Sequence, residues 1–284
     1  MLNLKLKTGS LIVVFILTVF TSNAGTISPI AENENGDDTT ETISALSESV
    51  FPEIPLHSSM ENFVADYAES YEVLFENLKV TKSNYFKTID KIFLQHNIPV
   101  ELKYLAIIES KLKTNARSGV GAVGVWQFMP ATAKRFGLKI TSKYDERQNL
   151  WKSTEAAAKY LKYLYGFLED WLLVVASYNS GPGPVLNAIK KSGSRSFWKL
   201  QHLLPKETRL HVKRFIATHY YFEGKGSLVT LSKSETEKYL KQLEEFNAAN
   251  GQENEQKDTN DPGVISQWVA ILNNNQEIKL ILKK

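Results

Sequence analysis

No cysteine occurs anywhere in the chain. That removes disulfide frameworks, thiol nucleophiles, cysteine-based zinc sites and a lipid-modified N-terminal cysteine in one step. Charge of one sign is equally scarce, since 34 basic against 31 acidic residues leave a net charge of +3. So mild a surplus gives no ground for a nucleic-acid partner, which draws basic residues onto one face or stripe. The apolar run Leu11 to Phe20 falls short of the roughly 20 residues a membrane-spanning helix needs. Catalytic signatures with a fixed spacing are also missing: no GxSxG elbow, HExxH pair, Walker loop or EF-hand loop. The histidines His57, His96, His202, His211 and His219 are not spaced as a metal cluster. His211 and His219 can share one helical face and read as partly exposed packing residues. No metal and no cofactor are expected.

What is present begins with an export signal. Lys5 and Lys7 precede the apolar run, and Thr21 to Ala24 come after it with small residues at Ser22 and Ala24. Residues 1–24 are read as a cleaved secretory signal, with an uncleaved N-terminal anchor as the other reading. The protein is expected in the periplasm or elsewhere in the cell envelope. Association with the membrane is compatible with this, though not through a lipid on cysteine. Residues 25–58 are polar and acidic, with nothing to bury, and read as a tether. A hydrophobic content of 43% suffices for one sizeable domain, expected over residues 59–224. Residues 225–284 form a C-terminal extension without an assigned role, in which Ser232 to Asn247 reads as a charged, exposed helix. Nothing in the sequence sets the oligomeric state.

The central stretch carries helical spacing throughout. Phe63, Tyr67, Tyr71, Leu74, Phe75 and Leu78 recur at helical intervals, as do Tyr85, Ile89, Ile92 and Phe93. Further helices are predicted over Val100–Leu112, Pro130–Phe136, Ser153–Leu168, Trp171–Tyr178, Pro184–Lys191 and Pro205–Phe222, several opened by Pro or Ser and stopped at Gly. No sustained period-two alternation appears, so the fold class is all-α.

Glu109 is the first candidate for chemistry. Leu102, Leu105 and Leu112 share one face of the predicted helix, and the i, i+3, i+4 rule puts Glu109 on it, while Glu101 falls off it. A carboxyl group on an apolar face is costly to ionise, and desolvation raises its pKa toward the range where it donates a proton near neutrality. That is the property a general acid needs. On spacing alone, a glutamate at the edge of the stripe, reaching water or pairing with Lys113, is the more economical reading. Gly119, Gly121 and Gly124 spell a GxGxxG, but no strand precedes them and Pro130 interrupts the stretch after them, so a dinucleotide site is excluded. Close approach of backbone to another chain or to a ligand is the simpler reason for these glycines. Finally, an apolar helix stops at Ser177-Tyr178-Asn179-Ser180-Gly181-Pro182-Gly183, a rigid turn able to present a hydroxyl and an amide. A plain helix end with a turn explains the same residues.

Taken together, these blocks resemble a known family. Glu109-Ser110, then Ala116-x-Ser118, then Gly121-Ala122-x-Gly124-Val125-Trp126-Gln127-Phe128-Met129-Pro130, then Ser177 to Gly183, are similar in order and spacing to family 1 lytic transglycosylases of the SLT type. The Trp126-Gln127-Phe128-Met129 form is similar to the membrane-bound lytic transglycosylase D branch. The likeness runs over about residues 85–222, through Tyr144 to Arg147, Ser153 to Ala157 and Pro205 to Arg209. Ser177 and Ser180 stand where the family has alanine, and His211 where it has tyrosine. The resemblance implies a lysozyme-like helical domain whose cleft holds peptidoglycan glycan strands. It maps Glu109 to the catalytic acid and base, and Ser110, Gln127, Met129, Tyr178 and Asn179 to substrate-binding positions. The implied reaction cuts the bond between N-acetylmuramic acid and N-acetylglucosamine without water and leaves a 1,6-anhydromuramyl end. A goose-type lysozyme, which uses water and needs Asp145 or Glu146 as a second carboxylate, is the alternative enzyme. A noncatalytic peptidoglycan-binding protein is the alternative outside enzymes.

Overall fold

Caps and breakers set several of the helix ends. The computed structural model describes residues 52–250, all within the unit Ser49–Lys284. The expected signal, most of the tether and the chain beyond 250 lie outside the described residues. The helices are α1 (Glu61–Thr81), α2 (Ser83–Gln95), α3 (Tyr104–Ser110), α4 (Pro130–Arg135), α5 (Leu150–Leu168), α6 (Trp171–Ser180), α7 (Pro182–Ser192), α8 (Phe197–Leu200), α9 (Lys206–Glu223) and α10 (Lys233–Asn250). Asn149 caps α5 by accepting from the Lys152 amide at 2.9 Å, and Asp170 caps α6 by accepting from the Leu173 amide at 3.0 Å. Pro130 and Pro182 open their helices, and Gly193 and Gly224 close theirs with positive φ. Among the described residues there is no strand, only isolated bridges such as Val123 to Phe128. The fold is all-α.

The core forms around α6, which is buried on every side from Trp171 to Ser177, as expected of a helix that is apolar all round. α5, α7 and α9 pack against it, and α9 also lies along α1 and α3 while α2 covers α5. α9 therefore faces α3, the helix that carries Glu109, across the middle of the domain.

Some expectations are corrected. The predicted helix over Val100–Leu112 is a short 3-10 turn, Val100–Lys103, followed by α3. It ends early because Lys111 and Leu112 adopt left-handed φ values of 55° and 58°, and this reversal still buries Leu112 completely. Glu101 is itself buried, because the 3-10 turn rotates it away from its predicted helical position. The apolar core also runs past Gly224, since Leu228, Val229 and Leu231 are buried in it, and Ile54 and Leu56 pack against it from the other end. α10 is tied on by the Lys233 amide donating to Asp170 at 2.7 Å and by Lys233 Nζ on Glu169 at 2.7 Å.

Candidate active site

Glu109 occupies the last turn of α3, just before the left-handed reversal that is uncommon in non-glycine residues. Its side chain is 17% exposed. Burial, and to a lesser degree the negative charge of Glu207, push the carboxyl up to about 8, so the acid form prevails at neutral pH. Lys113 is exposed. Glu109 instead meets His211 of α9, whose Nε2 lies 3.5 Å from Oε1. His211 and His219 are not the partly exposed residues expected: they are 4% and 0% exposed. Burial, helped by the positive charge of Arg214, pushes His211 down to about 3, so its ring is neutral across the physiological range.

The other candidate residues divide by what their polar atoms touch. Ser110 is buried, and its hydroxyl donates to the Val125 carbonyl at 2.8 Å while accepting from the Lys113 amide at 3.2 Å. It thus staples α3 to the glycine block. Tyr178 donates its hydroxyl to the Trp126 carbonyl at 2.8 Å, and burial with the charge of Glu109 raises its pKa. Asn179 is exposed, and its Oδ1 accepts from Thr208 of α9 at 3.0 Å. Gln127 sits at φ 48° and donates through Nε2 to the Gly124 carbonyl at 2.8 Å. A left-handed glutamine held this way is the kind of local strain that gathers at functional sites. Met129 is 42% exposed at the start of α4. Ser110 and Tyr178 hold backbone; Gln127, Met129 and Asn179 are the ones with surface to offer.

The glycine block is built by close backbone packing. A Cβ on Gly124 would lie 1.9 Å from the Arg147 carbonyl oxygen, at a φ of +87°. Arg147, buried itself, donates to the carbonyls of Gly121 and Phe128, each at 2.9 Å. Its other guanidinium atoms grip Asp145 at 2.9 and 2.7 Å, which holds that carboxyl below its usual range. Glu146 accepts from Lys152 at 2.5 Å and from the Lys139 amide at 2.7 Å, and Lys152 foremost lowers its pKa. The Tyr144 to Arg147 segment is therefore a brace for the loop. Trp126, fully buried, anchors the same loop by donating Nε1–H to Thr154 at 3.0 Å.

Sequence reasoning assigned no part in the site to Glu207 and Thr208, and placed His211 among packing residues. The available signal was the spacing along α9, where Glu207, Thr208 and His211 fall within about one turn. Which partner they face depends on the packing of α9 on α3 and α6. Among the described residues, no group of three or more His, Cys, Asp or Glu could hold a metal ion.

Residues 89–201 match the family model described as Transglycosylase SLT domain. This stretch is a transglycosylase SLT domain. It contains Glu109, Ser110, Gln127, Met129, Tyr178 and Asn179, whereas Glu207, Thr208 and His211 reach the SLT site from beyond its matched span. The chain is 42% identical over 128 residues to membrane-bound lytic murein transglycosylase D of Escherichia coli K12, covering 43% of this chain and 28% of that protein. It is 40% identical over 96 residues to peptidoglycan transglycosylase gp16 of Escherichia phage T7, covering 32% of this chain and 7% of that one. The chain thus spans about a quarter of the length of the first of these relatives. The 70-kDa soluble lytic transglycosylase of Escherichia coli superposes with a TM-score of 0.45 at 25% identity, over 61% of this chain and 32% of that one.

Proposed function

We propose that the protein is a peptidoglycan lytic transglycosylase in which Glu109 acts alone as acid and then as base. One observation carries this reading: Glu109 is a largely buried carboxyl, pushed up to about 8 by its burial, in an SLT domain. Such a group is set to protonate the oxygen that leaves C1 of the muramyl sugar as the C1–O bond breaks. The substrate's acetamido group stabilises the cation-like sugar. The new carboxylate then takes the proton of the C6 hydroxyl as that oxygen bonds to C1. Proton and charge balance without water, and Glu109 ends as it began. Holding the internal hydroxyl near C1 brings the usual proximity advantage.

Glycosidases that use water commonly need two carboxylates flanking the bond. Here Asp145 and Glu146, the candidates for the second, are engaged by Arg147 and Lys152, and Glu207 is engaged by Arg214 at 2.8 Å. Their ion pairs favour the single-carboxylate reaction over the goose-type hydrolase. Ser110 and Tyr178 fix the Glu109 wall from behind, and Gln127, Met129 and Asn179 line the sugar side. Export by the 1–24 segment, a tether following it that stops short of Ile54, and a role at the cell envelope belong to the same proposal. No helix among the described residues is long and apolar enough to cross a membrane. Mass spectrometry of muropeptides released by the purified protein tests the function. Anhydromuramyl ends are expected, and reducing muramyl ends in their place would overturn it.

A further inference from the structure

Turnover through Glu109 requires a carboxylate, if only briefly, in a place that resists one. Glu109 is largely buried and Glu207 adds like charge from α9. Among the described residues, its carboxyl oxygens take part in no hydrogen bond, and Tyr178 of α6 directs its hydroxyl to Trp126 instead. An unsupported buried carboxylate is expensive, so the charge needs a donor that can reach it.

His211 fits that need. Its Nε2 is buried, has no hydrogen-bond partner among the described residues, and lies 3.5 Å from Oε1 of Glu109. A separation of this size is long for a hydrogen bond, and catalytic contacts often tighten only as the reaction proceeds. We propose that His211 is a positioning residue whose Nε2–H donates to Glu109 Oε1 when the carboxyl has released its proton to the leaving oxygen. The inference rests on the reading of Glu109 as acid and base.

Burial first, and then the groups facing this pair, set its charge. Glu207 opposes ionisation of Glu109, and Arg214, one turn beyond His211 on α9, opposes protonation of the imidazole. The ring therefore stays neutral and donates without forming a permanent ion pair. A permanent imidazolium would hold Glu109 as a carboxylate and remove the acid. A neutral donor lets the proton leave and return.

Carbon-13 titration of Glu109 in the full chain, assigned with Glu109→Gln, tests this without relying on turnover. Loss of the donor in His211→Phe should raise the Glu109 titration by about one pH unit or more, about tenfold in the proton equilibrium. His211→Gln keeps an N–H donor and should stay within about half a unit of wild type. An unmoved or lowered titration in His211→Phe would overturn the assignment. Nitrogen-15 shifts of the wild-type ring give a second measurement if that variant does not fold: the Nε2-protonated neutral tautomer is expected, and a bare Nε2 would overturn it. Muropeptide analysis of wild type and Glu109→Gln separates the two claims. If no anhydromuramyl product forms, the proposed function falls, while the two NMR results still decide the hydrogen bond.

Discussion

Glu109→Gln should stop the chemistry and strengthen the fold, and the pH dependence of that gain is the informative part. In the unfolded chain the carboxyl titrates near its ordinary 4.5, whereas in the folded protein burial holds it at about 8. Between these values the folded state binds more protons than the unfolded state. Stability therefore falls as pH rises through this window, and is fully retained only below the lower value. At about 1.4 kcal/mol per pH unit, the penalty amounts to about 3 kcal/mol at pH 7 and levels off near about 5 kcal/mol above pH 8. Because the side chain is 17% exposed, local solvent relaxation trims these figures, and a gain of about 2 kcal/mol at pH 7 is the working expectation.

Glutamine keeps the shape and stays neutral, so it avoids the penalty at every pH. For a domain of this size the gain corresponds to a rise of about 4–8 °C in melting temperature at pH 7. The assay is thermal or urea unfolding of both proteins from pH 4 to pH 9. The difference should be near zero at pH 4, grow through neutrality and flatten above pH 8. A difference that does not change with pH, or a variant less stable throughout, would refute a carboxyl shifted by burial. Turnover should fall at the same time by about 10²- to 10⁴-fold, the share ascribed to general acid and base catalysis.

Activity of the wild-type protein should decline above about pH 8 as Glu109 loses its proton, and a rate profile flat from about pH 5 to pH 9 would contradict this. Gly124→Ala would set a Cβ 1.9 Å from the Arg147 carbonyl and should lose about 3 kcal/mol or more of stability in urea unfolding; an unchanged midpoint would mean the loop can move aside. Ser110→Ala leaves the buried Val125 carbonyl without its side-chain donor and should lower stability by about 1–3 kcal/mol together with turnover. A variant of full stability and activity would show that the staple is dispensable. Asp145→Ala strips buried Arg147 of its carboxylate and should destabilise by about 3–5 kcal/mol. Any residual activity should still yield anhydromuramyl ends, and selective loss of a hydrolytic product would favour the water-dependent alternative.

The sequence by itself determined the helices and the motifs. Helical spacing suffices around Phe63 to Leu78 and Tyr85 to Phe93, and proline, capping residues and glycine add to it at the ends of α4, α5, α6, α7 and α9, because those forces act within one or two turns. The apolar stripe through Leu105 made Glu109 a candidate, and the order and spacing of the motifs, not the stripe, singled it out. The stripe was not enough to show where α3 ends, because Leu112 reaches the core by a left-handed reversal that helical periodicity does not encode. Nor could it distinguish a hydroxyl offered to a ligand from one used to hold backbone: Ser110 and Tyr178 donate to the Val125 and Trp126 carbonyls, more than a dozen residues away in sequence. The brace of Arg147 under the glycine block and the approach of His211 to Glu109 likewise join distant segments. Only tertiary structure decided these contacts, because they depend on how α9 and the loop pack against α3. Desolvation at Glu109 is the sum of that packing, and no local stretch of residues specifies it.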